Sequence, residues 1–185
     1  IQRFIYISTP SMYNAYYDRF DIKENDPLPE KLINNYAVTK LEAEKLLQKS
    51  SLSYVIIRPR ALIGRGDTVI MPRLIRAFEA GRLRVIGDGK NRIDLTAVSN
   101  VADAVWLGLN TDEVNCGEIY NITNGEPVYL WENIRYVLKG LDLELSDKKM
   151  SYKTAMRVAS VMEFFAKFTK KEPTLMKYSV CTLAN

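Results

Sequence analysis

Tyr36 and Lys40 stand four residues apart in the segment YAVTKLEAEKLLQKS, a run rich in strong helix formers. On a helix, positions i and i+4 point the same way. A phenol, with a pKa of about 10, is a poor base at neutral pH. An ammonium a few ångströms away favours the phenolate and makes proton exchange with an alcohol feasible. Upstream, Ser8 and Thr9 close the apolar run Phe4-Ile5-Tyr6-Ile7, putting two hydroxyls at the end of a candidate strand. The carboxyl edge of a parallel sheet is where open α/β folds bind their ligands, so a hydroxyl there could hold a substrate oxygen while Tyr36 moves the proton. Each signal is weak alone: strand-end Ser and Thr also satisfy turns, and Tyr-x-x-x-Lys arises on ordinary surfaces.

Composition narrows the alternatives. Histidine is absent, which removes Ser–His and Cys–His nucleophilic pairs and the commonest metal ligand. Cys116 and Cys181 are far apart and lack a CxxC partner, so neither a disulfide framework nor a metal site is expected. The net charge of +4 is spread without a dense basic run, which argues for a small-molecule substrate and against nucleic acid as a partner. No apolar run reaches the roughly 18 residues of a membrane span and no signal-peptide pattern opens the chain, so a cytoplasmic location is expected.

Positioning these residues requires a strand, loop, helix, strand order. Ile1 to Ser8 reads as a strand whose apolar run Phe4-Ile5-Tyr6-Ile7 is expected to be buried on both faces, and the polypeptide is expected to begin in the middle of a fold. Residues 10–33 carry three prolines and read as a long functional loop. Asn34-Asn35 are plausible helix caps, and Tyr36, Lys40, Ala43 and Leu47 share a face. Tyr54-Val55-Ile56-Ile57 is a second buried strand, stopped by Arg58-Pro59, which completes the unit of a parallel α/β sheet.

Further along, Pro72 is placed at the start of a helix that Gly81 ends. Val85-Ile86, Ile93 to Val98 and Ile119 to Ile122 read as short strands, with helices from about Val101 to Leu109 and Leu130 to Leu141. Ala155, Val158, Ala159, Met162, Phe165 and Ala166 form an apolar stripe. A packed core helix is the plain reading; a substrate lid or a helix in peripheral contact with a membrane surface are its rivals.

Taken together, the ordered segments ISTPSMY, NNYAVTKLEAEKLL, VIIRPRALIGRGD and GDGKNRIDLTAVSNVADAV resemble extended short-chain dehydrogenases/reductases, the NAD-dependent epimerase/dehydratase group. The match runs over residues 1 to about 125 and is less distinctive over 126–185. The resemblance implies an α/β fold: the C-terminal part of a Rossmann-like parallel sheet in residues 1–64, and a smaller, mostly substrate-binding α/β region in 65–185, some segments of which return to the Rossmann sheet. It makes Tyr36 the general acid/base, Lys40 the residue that lowers its pKa and holds a cofactor ribose, and Thr9 the catalytic hydroxyl, with Ser8 as the neighbouring alternative. Backbone around Ile57 and Pro59 would lie beside a nicotinamide.

Within the group, sugar-nucleotide epimerases usually carry Arg and His where this chain has Ile93 and Ala97, with Arg92 one residue away. Members similar to 3β-hydroxysteroid dehydrogenases fit better, so an apolar secondary alcohol or ketone is the expected substrate, a sugar nucleotide the rival, and a catalytically silent scaffold the non-enzymatic alternative. The cofactor would be NAD or NADP. The glycine fingerprint GxGxxG occurs nowhere; Gly64-Arg-Gly66 and Gly87-Asp-Gly89 are only two-glycine turns, and Arg65-Gly66-Asp67 spells an adhesion tripeptide that carries no weight in this context. The chain is therefore expected to be a fragment lacking the dinucleotide-binding half and inactive by itself. Family analogy adds a homodimer through the Tyr36 helix and the helix near Pro72.

Overall fold

The computed structural model describes residues 2–14, 17, 19–169, 173 and 175–184, without the side chain of residue 167. Ile1, where the first strand is expected to start, and Asn185 lie outside the described residues. In chain order the elements are β1 (Phe4–Ile7), a 3-10 turn (Pro10–Tyr13), α1 (Asn35–Gln48), β2 (Tyr54–Pro59), β3 (Leu62–Ile63), α2 (Ile70–Glu79) and β4 (Val85–Ile86). Then follow β5 (Arg92–Ile93), β6 (Thr96–Ala97), α3 (Val98–Asn110), a 3-10 turn (Glu113–Asn115), β7 (Ile119–Ile122) and β8 (Val128–Tyr129). The last are α4 (Leu130–Lys139), β9 (Lys149–Met150), α5 (Tyr152–Thr169) and α6 (Lys177–Ala184). Two compact units result: Ile1–Gly66 with Asp94–Glu126, and Asp67–Ile93 with Pro127–Asn185.

The first unit is built on a parallel sheet in the order β1-β2-β7, with Tyr6 opposite Ile56 and Ile57 opposite Tyr120. All six residues of β2 are buried, as the central strand of a sheet covered on both faces demands. One face, Tyr6, Tyr54, Ile56 and Ile119, packs against Leu47 of α1. The other meets α3 at Gly108, where an added Cβ would stand 3.1 Å from Ile5 Cδ1. The missing side chain is what lets helix and sheet approach, offsetting the low helix propensity of glycine.

Ile93 to Val98 is not a single strand. Arg92-Ile93 pairs antiparallel with β8 in the second unit, whereas Thr96-Ala97 pairs parallel with β3 in the first. Alternation of apolar residues is the same in both pieces, so the change of partner between them leaves no local signal. The following helix begins at Val98, three residues before the expected Val101; its first turn is exposed, so no core-facing spacing marks it in the sequence. Asn124 Oδ1 accepts from Ala97 N at 2.9 Å and supports that start. The helix after Tyr129 ends at Lys139, two residues before the expected Leu141, with Gly140 at its cap.

In the second unit, Val85, Ile86, Trp131, Ile134, Leu138, Leu145, Ala155, Ala159 and Val180 form the core, and Leu74, Ile75 and Phe78 of α2 pack on it. Helix α2 starts at Ile70, ahead of Pro72, because the Asp67 carboxylate accepts from the backbone N–H groups of Val69, Ile70 and Met71 at 2.8, 2.9 and 2.7 Å. Asp67 is thus a capping residue. Gly81, at φ +63°, closes the helix by donating to Phe78 O at 2.8 Å. The core reading of the α5 stripe holds only for its first half. Ala155 and Ala159 are fully buried, but Phe164, Phe165 and Phe168 are exposed, their rings packing edge to face on one another. Among the described residues no helix is long and apolar enough to cross a membrane.

Candidate active site

The candidate site lies at the carboxyl end of β1. Ser8 and Thr9, both buried, leave that strand, and Ser8 N donates to Ile57 O of β2 at 2.7 Å. Ile57 is itself buried, and Pro59 ends β2 opposite Ile122. Thr9 caps the 3-10 turn that follows: its Oγ1 accepts from Ser11 N at 3.2 Å and donates to Ser11 Oγ at 3.0 Å. The Ser8 hydroxyl is buried and has no hydrogen-bond partner among the described residues. A buried hydroxyl without a partner is costly unless a ligand or water completes it.

Helix α1 begins where Asn34 Oδ1 accepts from Ala37 N at 2.8 Å. Its buried stripe runs through Ala37, Glu44 and Leu47, so Tyr36, in the first turn, stands at the margin of that stripe with half its surface exposed. One turn on, Lys40 Nζ donates to Ile7 O at 2.7 Å and lies 4.9 Å from the centroid of the Tyr6 ring. The helix is thereby tied to the strand end that carries Ser8 and Thr9. Among the described residues, no hydrogen bond links Tyr36 directly to Thr9.

Two features of the site escape spacing arguments. Tyr6 enters through the period-two alternation of β1, which turns it toward α1; its phenol is pushed above the usual tyrosine pKa by burial first, then by Glu44 and Tyr36. The second is a buried network. Glu44 and Arg58 are 1 % and 4 % exposed. Arg58 Nε donates to Glu44 Oε1 at 2.9 Å and Nη2 donates to Oε2, a bidentate pair. Arg58 Nη1 also donates to the Tyr13 hydroxyl, which in turn donates to Glu24 O at 3.1 Å. Glu24 Oε1 accepts from Asn121 N at 2.7 Å.

This network binds α1, the end of β2, the turn after Thr9 and the loop before α1 to one another. Burial works to lower the Arg58 pKa, but Glu44 and Tyr13 outweigh it and the guanidinium stays raised. Burial likewise raises the Tyr13 phenol against the opposing pull of Arg58. Tyr13 therefore remains a neutral donor. The only sequence sign of this pair was a charged residue beside each buried run, which is too common to single out.

Residues 1–123 match the NAD dependent epimerase/dehydratase family, and the chain belongs to it. It is 35 % identical over 171 residues to 2-alkyl-3-oxoalkanoate reductase of Stenotrophomonas maltophilia, covering 88 % of this chain and 52 % of that protein. It is 33 % identical over 195 residues to 3beta-hydroxysteroid-dehydrogenase/decarboxylase isoform 1 of Arabidopsis thaliana, covering 98 % and 44 %. A solved structure, MoeE5 in complex with UDP-glucose and NAD, superposes with a TM-score of 0.63 at 26 % identity over 82 % of this chain and 52 % of that one. The chain spans about half the length of the curated relatives it matches.

Proposed function

We propose that this chain supplies the catalytic half of an NAD- or NADP-dependent oxidoreductase acting on an apolar secondary alcohol or ketone. The observation that carries the reading is the 2.7 Å hydrogen bond from Lys40 Nζ to Ile7 O, which sets the Tyr–Lys pair of α1 against the Ser8-Thr9 strand end. In oxidation, Tyr36 Oη takes the hydroxyl proton of the substrate; in reduction it returns one. The Thr9 hydroxyl turns from Ser11 Oγ to hold the same substrate oxygen, while Ser11 N keeps Thr9 Oγ1 in place.

The residues at the strand end fit a nicotinamide cofactor. Lys40 keeps donors beyond the one given to Ile7 O, suited to a ribose hydroxyl, and the partnerless Ser8 hydroxyl and the end of β2 around Ile57 and Pro59 offer polar and backbone contacts. When bound, the cofactor accepts or gives the hydride. The pyrophosphate-binding glycines would come from sequence beyond this chain.

The apolar substrate rests on Ile93 and Ala97 and on the names of the two relatives, a 3-oxoalkanoate reductase and a hydroxysteroid dehydrogenase. A sugar-nucleotide reaction with the same three residues is the second reading, favoured by the likeness to MoeE5. Assay of the longer protein separates them: stoichiometric change in the absorbance of reduced nicotinamide with an apolar hydroxy or oxo compound supports the first. Interconversion of a sugar nucleotide without net change in cofactor supports the second. Self-association belongs to the same proposal, through the side of α1 where Val38 and Leu46 are exposed, and sedimentation of the longer protein tests it.

A further inference from the structure

We infer that Tyr6 is a positioning residue for the Tyr36–Lys40 pair, its ring face forming the seat on which the Lys40 ammonium is held. The inference rests on the proposed role of Tyr36 as acid/base. Two contacts fix the ammonium: the Ile7 carbonyl at 2.7 Å and the Tyr6 ring, whose centroid is 4.9 Å away. The first takes one of three N–H donors; the second uses the negative face of the ring and takes none. Lys40 is thus held without being used up. A flexible four-carbon side chain with only a solvent-facing carbonyl to hold it would spend much of its time elsewhere.

The seat is rigid and neutral. Tyr6 packs with Leu47, Tyr54 and Ile56, which fixes the ring from below. The ionisable groups that face this spot are Tyr6 from β1 and Tyr36 and Glu44 from α1, with Arg58 of β2 behind Glu44. Glu44 is engaged by Arg58 through both carboxylate oxygens, so it does not draw Lys40 away. Burial, Glu44 and Tyr36 all push the Tyr6 phenol up, which keeps this ring neutral. Of the two tyrosines near Lys40, Tyr6 is therefore the platform, and Tyr36, exposed at the helix margin, is the one placed to meet a substrate.

The test uses the longer active protein and the pH profile of kcat for alcohol oxidation. Tyr6→Leu removes the ring and keeps apolar volume; Tyr6→Phe keeps the ring and removes only the hydroxyl. The expected result is an acid limb moved up by about half a pH unit in Tyr6→Leu and left in place in Tyr6→Phe. A Tyr6→Leu profile that superposes on the parent, or a Tyr6→Phe profile displaced as far as Tyr6→Leu, overturns the inference. Tyr36→Phe is the control: turnover that survives it sinks the acid/base reading itself, while its loss alongside an unmoved Tyr6→Leu profile sinks only the role of Tyr6. A second measurement needs no variant. The Lys40 ε-methylene protons, next to an ammonium 4.9 Å from the ring centroid, are expected upfield of ordinary lysine resonances, and an ordinary shift there contradicts the seat.

Discussion

Replacing Glu44 by Gln keeps the shape of the side chain and removes its charge, leaving Arg58 charged and 4 % exposed without a counter-ion. Breaking a buried pair by removing one partner costs about 3–5 kcal/mol. The amide oxygen still accepts one of the two Arg58 hydrogen bonds, which places the loss near the lower end, about 3 kcal/mol. At about 2–4 °C per kcal/mol for a chain of this size, the melting temperature falls by about 6–12 °C, read by circular dichroism. Replacing both partners with apolar residues, Glu44→Leu with Arg58→Met, removes the uncompensated charge, and the Tyr13 hydroxyl still donates to Glu24 O. That double variant is expected to recover most of the loss. A Glu44→Gln protein that melts with the parent, or a double variant damaged beyond the single one, would refute the reasoning.

Three further outcomes follow from particular contacts. Asn34→Ala deletes the cap of α1 and costs about 1 kcal/mol, measurable by denaturant titration; no change in midpoint would show that the 2.8 Å bond to Ala37 N contributes nothing. The Asp67 carboxyl is held below the ordinary aspartate range by the backbone N–H groups of Met71 and Val69, against desolvation and with a smaller contribution from Ile70. Because its folded-state pKa is depressed, its stabilisation is present above the unfolded value and is lost as pH falls through the folded one. Side-chain NMR titration in the ordinary aspartate range contradicts the cap. Lastly, the 185-residue chain, which has no GxGxxG, is expected to bind neither NADH nor NADPH in calorimetry, and measurable affinity would mean that these residues hold the cofactor unaided.

Helix and strand periodicities explain what could be read from the sequence. Tyr36 and Lys40 were legible because a 3.6-residue repeat makes i and i+4 neighbours whatever the rest of the chain does. The parallel pairing of Phe4–Ile7 with Tyr54–Pro59 was legible because both runs are apolar and joined by a helical segment. The expected burial of the first run on both faces does not hold: β1 ends the strand order, and Phe4 and Ile7 are exposed. Contacts between distant residues leave no such trace. Tyr6 beneath Lys40 and Arg58 between Glu44 and Tyr13 depend on how α1 lies on the sheet, 14 to 45 residues away in sequence. The same limit explains Ile93 to Val98, whose two halves pair with strands of different units. The exposed end of α5 fails for another reason: an apolar stripe specifies a face, and says nothing of how far along the helix a partner covers it.

The measurement that bears most directly on the account is single-turnover hydride transfer by the longer protein and its Tyr36→Phe variant, with an apolar secondary alcohol as substrate. A loss of about 10²–10⁴-fold in the transfer rate with cofactor affinity retained is the predicted result. Transfer at the parent rate by Tyr36→Phe would contradict it, and would leave the Lys40-anchored strand end as a binding site whose chemistry lies in other residues.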